Sequence, residues 1–267
     1  MARRVLVRQP SRRLAEGLVT HIDRTPVDVD LAFTQWKSYV AALRAEGWQT
    51  IEVEPADDCP DVAFVEDTVV VYGDLAVISR SAADQRRRET AGTEETLRGL
   101  GYQIERIESP GTLDGGDVLK DDNRVWVGIS GRSNRAGVDQ LQAHLGPLGA
   151  DVVGVPISKV LHLKSAVTAL PDGTVTGYPP LVDDPSVWPS FFPVPEEGGS
   201  HVVILDPETV LMAASAPRSR DLFEARGLRT VVVDISEYEK LEGCVTCLSV
   251  RLRRSPASHE LASQRGS

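Results

Sequence analysis

Asp61-Val62-Ala63-Phe64-Val65-Glu66-Asp67-Thr68-Val69-Val70-Val71 sets three carboxylates among side chains that otherwise read as buried strand. An unpaired anion in an apolar interior is expensive. Asp61, Glu66 and Asp67 therefore either end a strand in water or meet a cation, which the chain or a ligand supplies. The elements on either side favour the cation.

After this stretch a pattern repeats. Apolar runs over 68–79, 117–129, 164–177 and 202–214 turn at Gly73-Asp74, 121–123, 171–173 and Asp206-Pro207, which are hairpin signals. Amphipathic helix follows over 84–99, 133–148 and 218–227, and strand over 102–107, 151–155 and 230–234. This recurrence marks an internal repeat. Strands at 5–8 and 247–252 can pair across the two ends to complete a fifth unit. The expected fold is α/β, a ring of ββαβ units with loops converging on a central channel. The same order also allows an open mixed sheet.

Ahead of the repeat, Asp30 is the candidate N-cap of a helix reaching Gly47, with Leu31, Trp36, Val40 and Leu43 at helical spacing. Residues 49–53 read as strand. The long polar loop 9–30 is read as carrying a lid at 14–26. Residues 178–199 are Pro-rich and read as irregular. No composition shift divides the chain, so 1–253 reads as one catalytic domain and 254–267 as a polar, frayed tail.

At 267 residues the chain can bury a substantial core. Its net charge of −10 disfavours nucleic acid and anionic membrane and weakly favours a cationic partner. No apolar run reaches membrane-spanning length, and residues 1–7 lack the apolar region of a signal peptide. Cys59, Cys244 and Cys247 make an odd set without a disulfide framework. A reduced, cytoplasmic protein is expected, and a homodimer is allowed.

Each unit delivers polar residues just before its hairpin. After the first acids come Asp114-Gly115-Gly116-Asp117, then His162-Leu163-Lys164-Ser165, then Cys244-Val245-Thr246-Cys247. A dithiol redox site should open a helix, but 248–252 reads as strand. A zinc site needs two more ligands at metal spacing. A single nucleophilic cysteine with a distant histidine and acids fits better, although either cysteine can be a small buried hydrophobe and His162 a satisfied core residue. Arg86 and Arg132 each follow an acidic motif by a similar interval. Together they can grip a carboxylate, or lie in a solvated basic cluster and a surface turn. A ligand with a cationic end and an anionic end is an amino acid carrying a guanidinium or ammonium group.

Phe64-Val65-Glu66-Asp67, Leu113-Asp114-Gly115-Gly116-Asp117, Gly128-Ile129-Ser130-Gly131-Arg132-Ser133-Asn134, His162-Leu163-Lys164-Ser165 and Thr246-Cys247-Leu248-Ser249-Val250 resemble the guanidino-group-modifying enzymes, specifically the dimethylarginine dimethylaminohydrolases. The resemblance spans about residues 3–253. It implies a five-bladed α/β propeller and hydrolysis of methylated arginine, without metal or cofactor. By position it implies Cys247 as nucleophile and His162 as general acid/base. Asp67 and Asp114, with Glu66 beside them, would hold the guanidinium, and some relatives carry Glu in place of Asp114. Asp61 and the main-chain carbonyls of Leu18 and Leu241 would surround the α-amino group, and Arg86 and Arg132 would clamp the carboxylate. Cys244 matches no catalytic position. Arginine deiminases and amidinotransferases are close alternatives, and a non-catalytic amino-acid binder is a distant one.

Overall fold

Short valine-rich strands assemble into five separate three-stranded sheets in the computed structural model, which describes residues 3–252. The expected tail, 254–267, lies outside the described residues. The chain begins with β1 (Arg4–Val7), α1 (Val29–Ala45) and β2 (Gln49–Glu52). The first full blade is β3 (Val69–Tyr72), β4 (Leu75–Ile78), α2 (Thr90–Gly99) and β5 (Gln103–Arg106). The second is β6 (Val118–Asp121), β7 (Arg124–Ile129), α3 (Arg135–Leu145) and β8 (Asp151–Pro156). A single helical turn, α4 (Leu163–Ala166), leads into the third, β9 (Val167–Ala169), β10 (Val175–Gly177) and β11 (Phe191–Pro193). The fourth is β12 (Val202–Asp206), β13 (Thr209–Ala213), α5 (Pro217–Ala225) and β14 (Arg229–Val233). After a further turn, α6 (Ser236–Glu239), strand β15 (Ser249–Leu252) returns to the start of the chain.

In every sheet the middle strand pairs antiparallel with the first and parallel with the third. β15 pairs antiparallel with β1, Arg4 opposite Leu252 and Val7 opposite Ser249, so the fifth blade joins both ends of the chain. The apolar cores lie between successive blades. Val70 and Val77 pack with Val118 and Val127 between the first and second blades, and Leu119 and Trp126 with Val167 and Val175 between the second and third. Leu170 packs with Val202 and Met212. Val203 and Leu211 pack with Val5 and Val7, and Leu6 and Val250 with Val69 and Val71. Each blade thus meets both neighbours, which closes the five-bladed α/β propeller.

Three expectations change. Residues 61–68 are turns and a helical turn, Val65–Thr68, rather than strand. The backbone closes on itself here, the Phe64 N–H donating to the Asp61 carbonyl oxygen at 3.0 Å and the Asp67 N–H to the Phe64 carbonyl oxygen at 3.1 Å, while the carboxylates reach partners distant in sequence. Helix α1 is capped by Asp28, whose side chain accepts from the Leu31 N–H, while Asp30 lies in its first turn. Residues 178–199 contain strand β11, pairing in parallel with β10. Proline sits in the first turn of the two short helices before it, Pro179–Leu181 and Pro185–Val187, where its missing N–H costs nothing. The third blade therefore keeps its three strands but crosses over without an α-helix.

Candidate active site

A tight turn precedes the first strand of each blade: Val65–Thr68, Gly115–Asp117, α4, Glu197–Ser200, and the turn ending at Leu248. These turns pack on one another; Glu66, Asp67 and Cys247 lie in them, and Asp114 and His162 immediately precede two of them. The two glycines of the second turn let it touch the first. A Cβ on Gly115 would stand 2.0 Å from the Glu66 carbonyl oxygen. On Gly116 it would stand 2.6 Å from both Asp67 Oδ1 and His162 Nδ1. The Gly116 N–H donates to Asp67 Oδ1 at 3.0 Å.

His162 is buried between the acids of two blades. Its Nε2 lies 3.2 Å from Asp114 Oδ2, and its Nδ1 lies 3.7 Å from Asp67 Oδ1. Burial alone would lower the imidazole pKa. The charges of Asp67, Asp117 and Asp114 and the hydrogen bond to Asp114 overcome it and push the value up to about 9. Asp67 stays below the ordinary carboxylate value although burial would raise it, because His162 and Arg86 stabilise its anion. Asp117 holds the second turn against the third. It accepts from the Leu163 N–H at 2.9 Å and from the Ser133 hydroxyl at 2.6 Å. Burial raises it to about 6 despite those bonds.

The two arginines differ. Arg86 donates through Nη1 to Asp67 Oδ2 at 2.7 Å, and through Nε and Nη2 to Glu89. Arg132 reaches Asp114 Oδ2 only at 3.9 Å, and its Nη1 is buried without a hydrogen-bond partner. Asp114 Oδ1 and Glu66 Oε2 are also buried and unpartnered, while Glu66 Oε1 pairs with Lys164. Buried polar atoms are normally satisfied, and these three have hydrogen-bonding capacity left for a ligand.

Cys247 is buried in the turn before β15, not in the strand. The Glu66 N–H donates to its carbonyl oxygen at 3.2 Å, tying the turn to the first blade. Its thiol is held above the ordinary value by the hydrogen bond to Cys244, by burial, and by the charges of Cys244, Glu66 and Asp67. Tyr39 of α1 fixes this turn from outside, its hydroxyl 2.8 Å from both the Val245 carbonyl oxygen and Ser249 Oγ.

The expected lid is fastened by two carboxylates. The Leu18 N–H donates to both oxygens of Asp61, at 3.1 and 3.2 Å. Glu242 accepts from the Thr20 and His21 amides, at 2.8 and 2.5 Å. Leu241 is buried beside Tyr238, whose carbonyl accepts its N–H. Glu89, Lys164, Asp117 and Glu242 were not singled out from the sequence. Asp117 and Lys164 lie inside motifs read for their neighbours, and Glu89 stands three residues after Arg86 in a charged run. Glu242 carries no local signal.

Among the described residues no group of three or more His, Cys, Asp or Glu side chains is arranged to hold a metal ion, and no helix is long and apolar enough to cross a membrane.

A sequence profile of the arginine deiminase family matches residues 37–194. The chain is 61% identical over 252 residues to the N(G),N(G)-dimethylarginine dimethylaminohydrolase of Streptomyces coelicolor, covering 94% of this chain and 98% of that one. It is 34% identical to the protein of the same name from Pseudomonas aeruginosa, covering 94% and 100%. A solved dimethylarginine dimethylaminohydrolase variant bearing an S-methyl-L-thiocitrulline adduct superposes with a TM-score of 0.88 at 32% identity, covering 94% and 100%. A Pseudomonas aeruginosa variant complexed with citrulline gives the same values. The N-terminal domain of a cyanobacterial arginine dihydrolase shares the fold, with a TM-score of 0.85 at 19% identity, covering 94% and 98%.

Proposed function

The chain belongs to the dimethylarginine dimethylaminohydrolase family, and on that premise we propose that it hydrolyses asymmetric dimethylarginine and monomethylarginine to citrulline and dimethylamine or methylamine. The observation that carries this reading is an excess of buried negative charge. Among the described residues Asp61, Asp67, Glu89, Asp114 and Asp117 are buried and Glu66 is partly buried, and the cationic side chains that pair with members of this set are Arg86, Arg132, Lys164 and His162. Uncompensated buried anions are costly, and a guanidinium bound beside Asp67 and the free oxygens of Asp114 and Glu66 relieves them. The Nη1 of Arg132, which makes no hydrogen bond, together with Arg86 suits the carboxylate of the same ligand. Asp61 and the loop at Leu18, with the main chain at Leu241, would enclose its α-amino group.

The chemistry follows from the charges. In the empty enzyme the hydrogen bond with Cys244, burial and the nearby acids all oppose the Cys247 anion. The arriving guanidinium brings positive charge to the sulfur, and the thiol proton passes to solvent. The thiolate attacks the guanidinium carbon, forming a C–S bond. His162, protonated at neutral pH, gives its proton to the departing methylated amine. The neutral imidazole then takes a proton from water, whose oxygen attacks the thiouronium carbon and releases citrulline and the sulfur. Asp114 orients His162 throughout. This sequence needs no cofactor, and a reducing cytoplasm keeps the cysteines as thiols.

The test is citrulline and amine release from asymmetric dimethylarginine, compared with citrulline and ammonia release from arginine. Dimethylamine in step with citrulline supports the proposal. Faster turnover of arginine would make the chain a deiminase on the same scaffold, and turnover of neither would leave a binder.

A further inference from the structure

Cys244 is a buried thiol that the reaction above does not use. It opens the turn that presents Cys247, whose N–H donates to the Cys244 carbonyl oxygen at 3.1 Å. Such a four-residue turn keeps its end Cα atoms within about 7 Å, and disulfides span about 4.4–6.8 Å. The two sulfurs stand 3.2 Å apart, both as free thiols. A bond of about 2.05 Å then needs only a small side-chain rotation.

The surroundings of Cys244 are polar for a residue that merely fills space. Thr246 Oγ1 lies 3.3 Å from its sulfur. His201 follows the leading turn of the fourth blade, which supplies nothing to the proposed substrate. Its Nε2 meets the Ser165 carbonyl oxygen at 2.8 Å. Within the pair Cys244 is the more acidic thiol: its hydrogen bond with Cys247 outweighs burial, and His201 and Thr246 add to it. A more acidic partner beside a nucleophilic sulfur is what thiol–disulfide chemistry uses.

We propose that Cys244 and Cys247 are a modification site, forming a reversible disulfide with hydroperoxide-class oxidants that switches off the nucleophile. In the first step one sulfur of the pair, as thiolate, attacks a peroxide oxygen. The O–O bond breaks, the departing hydroxide takes the thiol's proton and leaves as water, and a sulfenic acid remains. In the second step the partner sulfur attacks that sulfur. The S–S bond forms, the S–O bond breaks, and the second oxygen leaves as water with the partner's proton. Two thiols are oxidised and one peroxide is reduced to two waters, whichever sulfur is attacked first. A disulfide-bound Cys247 cannot attack a guanidinium, and external thiol restores it. Without a partner, a sulfenic acid proceeds to sulfinic and sulfonic acids, which thiols do not reverse.

The site rests on the proposed role of Cys247 only for its effect on turnover, so the primary readout is mass. The full chain is treated with hydrogen peroxide, alkylated and digested with trypsin. The expected peptide carrying Cys244 and Cys247 has lost the mass of two hydrogens, while Cys59 is alkylated. Dithiothreitol restores both thiols and citrulline formation together. In Cys244→Ser and, independently, Cys244→Ala, the same dose takes Cys247 to sulfinic or sulfonic acid, and dithiothreitol recovers neither thiol nor turnover. Wild-type protein in which Cys244 remains alkylatable while Cys247 is over-oxidised or untouched overturns the proposal. A cross-link through Cys59 does the same. A failed citrulline assay would count against the hydrolase reading and leave the mass result to decide the disulfide.

Discussion

Arg86 in the first blade is gripped by Asp67 and Glu89, whereas Arg132 in the second makes one long ion-pair contact with Asp114 through Nη1, which has no hydrogen bond. Both follow an acidic turn and a hairpin at similar distances, so the sequence pattern treats them alike. The structure separates two uses of one residue type. A guanidinium locked by carboxylates before any ligand arrives is part of the fold and, after His162, helps hold Asp67 below the ordinary carboxylate value. One whose Nη1 makes no hydrogen bond is the arginine that the proposed function gives to the ligand's carboxylate.

Cys247→Ser addresses the atom that both blades serve, and turnover should fall on the order of 10^4-fold or more, as for other lost nucleophiles. Measurable citrulline formation near the wild-type rate would detach both arginines from the reaction. Arg86→Ala removes the cation between Asp67 and Glu89, and breaking a buried pair this way costs about 3–5 kcal/mol. Urea unfolding should show that loss alongside a raised KM. A variant that unfolds like the wild type would erase the contrast between the blades.

The imidazole between the blades supplies the next effect. His162 titrates at about 9 in the folded chain, above the ordinary value of about 6.5. Its stabilisation is therefore complete below pH ~6.5 and vanishes as pH rises through 9. The loss amounts to about 3 kcal/mol. Urea midpoints at pH 6.5 and 9.5 should differ for the wild type and much less for His162→Gln. Equal falls in both would sink the assignment.

Arg132→Ala should leave unfolding nearly unchanged and raise KM roughly ten- to a hundred-fold, the weight of about 1.5–3 kcal/mol for a charged hydrogen bond. The variant should also discriminate less against agmatine, which lacks the carboxylate. Undiminished discrimination would take Arg132 out of the clamp. The smallest change belongs to Cys244→Ser, where kcat/KM under reducing conditions should stay within a few-fold, below about 1 kcal/mol. A loss as deep as that of Cys247→Ser would make the pair a joint catalytic unit.

The ring itself was legible because four hairpin turns recur with helix and strand between them, a signal carried by local chemistry. Strand β11 was not, since its three residues, Phe191–Pro193, sit among prolines and gain strand character only from pairing with β10. The acids, the histidine and the cysteine were visible as polar residues in apolar runs. Their partners were harder to see. Lys164 pairs with Glu66 across 98 positions, and Glu242 fastens amides at Thr20 and His21 more than 200 positions away. No local pattern encodes such pairs, because the fold alone makes them neighbours.

The closure of the fifth blade carries a consequence for how the molecule comes into being. β1 lies between β2 and β15, and its antiparallel neighbour is the last strand described. During synthesis Arg4–Val7 therefore waits, with one edge open, until 249–252 leave the ribosome, and the turn bearing Cys247 emerges just before that edge is filled. Contacts of such sequence separation slow folding, and an open strand edge invites foreign pairing. A nascent chain thus gains its reactive sulfur and its protection from aggregation in the same late step.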